Sequence, residues 1–233
     1  MVDLNSEMAE LWGSLNGARS GPARVLQIVS ARRGEGSSVV ARELACYVAR
    51  QMGRSVWLVD VDLGGVGQHQ AIKADAERYG TLGEPVSATP DGSMFLTVRP
   101  PMRGGNGQIW PASRFVTASR VGQAKWWVTR FRKEAVQDGQ SLHILPTPDY
   151  WSALSRHTDL VIIDTPSADR SRASLTLAPF ADQTVLVVAA DQADTQAPRR
   201  LSEAISQAGG TVSGLFLNRV TVEAPKFLKA LGL

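Results

Sequence analysis

Apolar and polar positions alternate along this chain with two periods, and the periods themselves alternate. Residues 25–30 form a short apolar run that reads as a strand. Residues 38–51 follow with Val39, Ala41, Leu44, Ala45, Val48 and Ala49 at helical spacing, and Gly53 closes that helix. Residues 55–61, SVWLVDV, are apolar on both faces, as strands of a buried parallel sheet are. Further strands are predicted at 142–145, 160–163, 184–189 and 213–217, with a helix over 197–207 ended by Gly209-Gly210. Strands separated by helices predict an α/β fold, a doubly wound and mostly parallel sheet with helices on both faces. Ligands of such sheets sit at the carboxyl ends of the strands. Asp60, Asp62 and Asp164 all fall there.

Residues 64–140 break the rhythm and hold much of the Pro and Gly, in GTLGEPVSATPDGSMF and RPPMRGGNGQIWP. They read as a variable insertion within a single domain spanning 1–233. Its second half, 113–136, carries Arg114, Arg120, Lys125, Arg130, Arg132 and Lys133 with Trp126, Trp127 and Phe131. A basic, aromatic helix is expected there, with its rings buried and its charges solvated; an anionic polymer, lipid surface or acidic partner is the alternative use.

Composition narrows the classes. A net charge of +3 over 233 residues does not by itself imply a nucleic-acid binder. The one cysteine, Cys46, excludes an internal disulfide framework and is expected to pack as a small apolar residue. The acid-containing start gives no leader, and no apolar run is long enough to span a bilayer, so a cytoplasmic protein is expected. His143 and His157 lack ligand spacing and read as surface or packing residues, and Asp182 and Asp191 as turn residues.

The chemistry sits between the first strand and the first long helix. A phosphate-binding loop requires Gly-x-x-x-x-Gly-Lys-Ser/Thr at such a junction. Here the segment ARRGEGSS supplies Gly34, Glu35 and Gly36, then Ser37 in the lysine position and Ser38 where a hydroxyl would meet Mg²⁺. That lysine neutralises phosphate charge during transfer. Backbone N–H groups at a helix N-terminus still favour an anion without it. Arg32 and Arg33 are the nearest replacements in sequence. Two acids at i, i+2 after a buried strand, Asp60 and Asp62, point to one face and suit a cation site, with strand-end turn roles as the alternative. A buried Asp164 is expected to have a Mg²⁺ or hydroxyl partner.

Four segments in order give the chain a resemblance. SARRGEGSS, VWLVDVDL, SRHTDLVIIDTPS and ADQTVLVVAAD with GTVSGLFLNRV resemble the bacterial tyrosine kinase (BY-kinase) family within the MinD/ParA deviant P-loop group. The resemblance implies a P-loop NTPase fold and ATP or ADP with Mg²⁺ as cofactor, if any binds. It places Asp60 and Asp62 near the attacking hydroxyl as vestigial catalytic candidates. It places Ser38, Asp60 and Asp164 near the metal, and Asn218 and Arg219 at the nucleotide base. It also implies docking on an inner-membrane polysaccharide co-polymerase (Wzz-like), with membrane contact only through that partner, a homo-oligomer, and no nucleic acid.

Several positions depart from the family pattern. Ser37 replaces the lysine, and Gly64 stands where many relatives have arginine. Of the N-terminal Glu-x-x-Arg-x-x-Arg pattern, the chain has Glu7, Glu10 and Gly13, so only the glutamate survives. No tyrosine follows Tyr150, where relatives carry a cluster. The sequence therefore reads as a catalytically impaired BY-kinase-like regulator or scaffold of exopolysaccharide, capsule or adhesin assembly. An active kinase or ATPase with a rewired site is one alternative. A ParA/MinD-like positioning factor on DNA or membrane is the other, with APKFLKALGL as a short amphipathic C-terminal helix expected to pack on the core.

Overall fold

The chain alternates strands and helices in the computed structural model, which describes residues 4–15, 24–191 and 194–220. In order they are α1 (Asn5–Leu15), β1 (Arg24–Ser30), α2 (Ser37–Gln51), β2 (Val56–Asp60), α3 (Gln68–Ala74) and α4 (Ala76–Tyr79). Then follow β3 (Val86–Ser87), β4 (Leu96–Arg99), β5 (Val116–Arg120), β6 (Trp126–Phe131), β7 (Ser141–Ile144) and α5 (Asp149–Ser155). The last are β8 (Leu160–Asp164), α6 (Ala173–Leu177), β9 (Gln183–Ala189), α7 (Gln196–Gln207) and β10 (Val212–Asn218). The segment 224–233 lies outside the described residues.

Eight strands form one sheet in the order β10-β9-β1-β8-β2-β6-β5-β3. Pairings from β10 to β6 are parallel, and β6-β5 and β5-β3 are antiparallel. The parallel core is the predicted doubly wound sheet. Its strands are apolar on both faces because helices cover both. Leu26, Ile28, Leu58 and Ile162 meet α1 and α2 through Met8, Trp12, Val40, Leu44 and Val48. Val25, Val59, Val161 and Ile163 meet α5 and α6 through Tyr150, Trp151, Leu154 and Leu177. α1 docks by Met8, Leu11, Trp12 and Leu15, whose spacing puts them on one face, while Glu7, Glu10 and Gly13 are exposed. The polar Gln27, fully buried in β1, is satisfied: it donates to the Ser174 carbonyl and accepts from Thr184.

Two expectations are corrected. Residues 113–136 are not a basic helix. They form a short 3-10 turn, Ala112–Phe115, and the hairpin β5-β6. Its period is two: Val116 and Ala118 are buried in β5, and Trp126 and Val128 in β6, around a turn holding Gly122 at φ 56°. The aromatic residues are still half core, since Trp126 is buried while Trp127 stacks on Trp57 at 5.8 Å. Arg130 and Arg132 pair with Glu134 at the surface. Second, the strand near 142–145 exists, but it pairs with β4 in a separate two-stranded sheet. Cys46 is partly buried against the core, and His143 is exposed on β7. No helix among the described residues is long and apolar enough to cross a membrane.

Candidate functional site

Sheet register assembles the site. Asp60 and Asp164 are direct neighbours across the β2-β8 pairing, and Ile28 faces Asp164 across β1-β8, so both acids end beside the loop that leaves β1. That loop turns through Gly34 at φ 89° and Gly36 at φ 95°, left-handed angles that favour glycine. It delivers Ser37 and Ser38 to the first turn of α2. The N–H groups of Gly34, Gly36, Ser37 and Ser38 take no partner among the described residues. Grouped at the start of α2, they make a cradle of donors that an anion can enter.

The loop is braced from all sides. Glu35 is buried and accepts from the Arg32 N–H at 2.7 Å, so its carboxylate ties the loop. Asp169 accepts from the Arg33 N–H at 3.1 Å. Asn218 donates to the Glu35 carbonyl at 2.8 Å, and Arg219 donates to the Gly34 carbonyl. Asn218 and Arg219, expected at a base, thus clamp the loop from the end of β10. Of the two candidate replacement arginines, Arg32 turns away to pair with Asp194, whereas Arg33 faces the cradle.

A cavity of about 310 Å³ opens over the cradle. Arg33, Arg170 and Arg219 line it, together with Ser37, Ser38 and Asp62. Ser37, in the lysine position, faces inward with its hydroxyl 3.2 Å from that of Ser30. The guanidinium of Arg170, from the turn after β8, grips both oxygens of Asp62 at 2.8 and 3.0 Å. This bond holds Arg170 charged, its pKa raised by Asp62.

Ser38, Asp60 and Asp164 lie together, but the chain's own donors occupy the acids. Asp164 accepts from the Ser38 hydroxyl at 3.1 Å and from the Gln68 side-chain amide at 2.5 Å. Asp60 accepts the Asp62 N–H at 3.0 Å and the Gln68 N–H at 2.6 Å. It therefore binds the N-terminus of α3, the turn role that the sequence left open. Burial raises the pKa of both acids. For Asp60 the neighbouring Asp164 charge adds to the rise; Asp164 reaches about 6, its bonds to Gln68 and Ser38 restraining it.

Tested against the groups that the resemblance implied, the cradle fits a phosphate. The acids do not fit a directly bound Mg²⁺, because the Gln68 amide stands against Asp164 on one side and the α3 N-terminus against Asp60 on the other. Gln68, like Arg170, is a site residue that sequence reasoning missed. Its only signal is its place eight residues after Asp60, at the start of a short helix. A second cavity, of about 250 Å³, lies across Asp62 and is lined by Asp60, His69, Arg130 and Lys133. Burial, with Arg130 and Lys73 nearby, lowers the His69 pKa.

No protein-family model and no curated protein matches the chain. Solved structures do match in fold. The chimerical protein CapA2B2 superposes with a TM-score of 0.61 at 18% identity, over 92% of this chain and 84% of that one. The kinase domain of the Escherichia coli tyrosine kinase ETK gives 0.58 at 16%, over 95% and 79%. MinD from Pyrococcus horikoshii, solved with Mg-ADP, gives 0.57 at 17%, over 88% and 75%. The chain thus shares the α/β fold of these tyrosine kinase domain and MinD structures.

Proposed function

We propose that this chain is a catalytically impaired BY-kinase-like protein that regulates or scaffolds exopolysaccharide, capsule or adhesin assembly. It keeps an anion pocket and has lost efficient phosphoryl transfer. The observation that carries this reading is the inward-facing Ser37 in the lysine position, beside an Arg170 already committed to Asp62. A serine hydroxyl cannot supply the charge that stabilises a transferring phosphoryl group. The kinase-domain neighbours support the class of ancestor. The partner is an inner-membrane polysaccharide co-polymerase, through which the protein reaches the membrane.

The test has two arms. Purified protein incubated with labelled ATP and Mg²⁺ is expected to show no phosphorylation of itself or of a tyrosine polymer. Crosslinking in native cells is expected to recover an inner-membrane co-polymerase. Phosphorylation abolished by Asp60→Asn would overturn the impaired reading, and failure to recover such a partner would overturn the scaffold.

A second reading, an active kinase or ATPase with a rewired site, draws on one observation: Arg33 faces the cavity with no partner for its guanidinium among the described residues. Under that reading Arg33→Ala removes turnover that the unaltered protein displays.

A further inference from the structure

We infer that the loop binds a phosphate-bearing ligand, of the nucleoside diphosphate class, without a divalent cation. The inference rests on the reading above only in that the pocket is retained. In a P-loop of the ordinary kind, a hydroxyl, a metal and a lysine share the phosphate charge. Here the lysine position is a serine, and the place beside Asp164 is filled by a side chain of the protein itself.

Gln68 is built into that place. Its side-chain Nε2 donates to Asp164 at 2.5 Å and to the Ser38 carbonyl at 2.8 Å, and its Oε1 accepts from Arg42 at 2.8 Å. Its backbone N–H is held by Asp60 at 2.6 Å, and the residue is only 2% exposed. Rotating it out would strand a buried carboxylate and a guanidinium together. The amide therefore does for the buried acids what a hydrated cation does elsewhere, supplying partial positive charge and satisfying lone pairs.

The compensating charge lies on the other side. Arg33, Arg170 and Arg219 line the 310 Å³ cavity with Asp62, whereas neither Asp60 nor Asp164 does; Arg170 is held by Asp62, and Arg219 by Asp191 and the Gly34 carbonyl. An entering diphosphate meets N–H groups at Gly34, Gly36, Ser37 and Ser38, and an Arg33 side chain, that take no partner among the described residues. Arg170 can exchange the Asp62 carboxylate for phosphate oxygens, because both present paired acceptors to its fork. A magnesium-complexed ligand would arrive with part of that negative charge already neutralised, and so would gain less from the arginines.

Calorimetry with ADP tests this, in EDTA and in excess Mg²⁺, with pyrophosphate as a third titrant to separate phosphate from base. The expected result is binding in EDTA at least as tight as in Mg²⁺. Arg33→Ala and Arg170→Ala should each weaken it about tenfold or more. Gln68→Ala should make ADP binding respond favourably to Mg²⁺, by opening the place beside Asp164. Binding by the unaltered protein that requires Mg²⁺, or tightens tenfold with it, would overturn the inference. So would the absence of binding in both buffers. Absence of binding would also remove the retained pocket from the reading above, but neither result touches the loss of phosphoryl transfer or the scaffold role, which fail by the phosphorylation and crosslinking arms alone.

Discussion

The side-chain amide of Asn218 stands where a Cβ on Gly36 would lie. A methyl added to Gly36 would meet the Asn218 Nδ2 at 2.1 Å, and the backbone there has φ 95°. The end of β10 and the loop after β1 are therefore fitted to one another, with Asn218 also donating to the Glu35 carbonyl. Gly36→Ala should cost about 1–3 kcal/mol from the left-handed backbone, and more from the clash. In the double variant with Asn218→Ala the clash goes but the backbone cost stays. Urea denaturation of the two single variants and the double should show partial, not full, recovery. Full recovery would mean that the loop has no conformational demand at Gly36.

A second prediction concerns the hairpin that replaces the expected basic helix. Trp126 is fully buried, and its ring meets that of Tyr79 in a T-shaped contact with centroids 6.1 Å apart. Trp126→Ala should cost about 3–5 kcal/mol. Reversing charge at Arg130, Arg132 and Lys133 should change stability by no more than about 1 kcal/mol, since the Arg130 and Arg132 ion pairs with Glu134 are exposed. Thermal melts of both variants check the contrast. A large loss in the charge-reversal variant would show that the basic side chains hold the hairpin.

The same contrast shows what the sequence made legible. Continuous apolar runs at β1, β2, β8 and β9 read correctly, because a strand covered on both faces has no polar alternation to confuse. Residues 113–136 misled, because arginines and tryptophans dominate by size. The β-branched Val116, Thr117, Val121, Val128 and Thr129 around Gly122 carried the strand signal instead. The placing of Asp60 and Asp164 side by side at strand ends was legible, because parallel register fixes it. Arg170 and Gln68 were not. Each acts across sequence distance, at |i−j| of 108 for Arg170 with Asp62 and 96 for Gln68 with Asp164. Neither belongs to a motif, so only the fold brings them to their acids.

A third prediction follows from the join between α2 and α4. The Tyr79 hydroxyl donates to Glu43 at 2.5 Å, and Arg78 pairs with the other Glu43 oxygen at 2.8 Å. Glu43 is buried, and each of its oxygens takes one of these donors. Tyr79→Phe should cost about 1.5–3 kcal/mol, the range for a hydrogen bond to a charged group. Glu43→Ala should make Tyr79→Phe nearly silent when the two are combined, because the hydroxyl has lost its acceptor. A double-mutant cycle by urea denaturation measures this. Additive losses would indicate that the hydroxyl contributes nothing through Glu43.

The last prediction uses the buried acids. Asp164 has an unfolded value of about 3.9 and is raised to about 6 in the fold by burial. Between those values the folded state binds more protons than the unfolded one, so stability falls as pH rises from about 4 to about 6. Asp60, raised by burial and by Asp164, adds to the fall. The part due to Asp164 alone is of order 2–3 kcal/mol. His69 pulls the other way: its lowered value makes the folded state bind fewer protons below the ordinary histidine range. The acids that the fold holds below their ordinary value, such as Asp159 and Asp169, act only below about pH 4. The measurement is therefore a comparison of slopes. Urea midpoints from pH 4.5 to 6.5 in EDTA, a range chosen to span about the Asp164 window, are taken for the unaltered protein and for Asp164→Asn. Asparagine carries no titrating proton but loses one acceptor to Ser38 or Gln68, so this variant should be less stable at low pH. Its stability should nonetheless decline less steeply with rising pH, and the two curves should converge. Parallel curves would mean that Asp164 titrates alike in both states, and that the Gln68 amide and the Ser38 hydroxyl fully offset its burial.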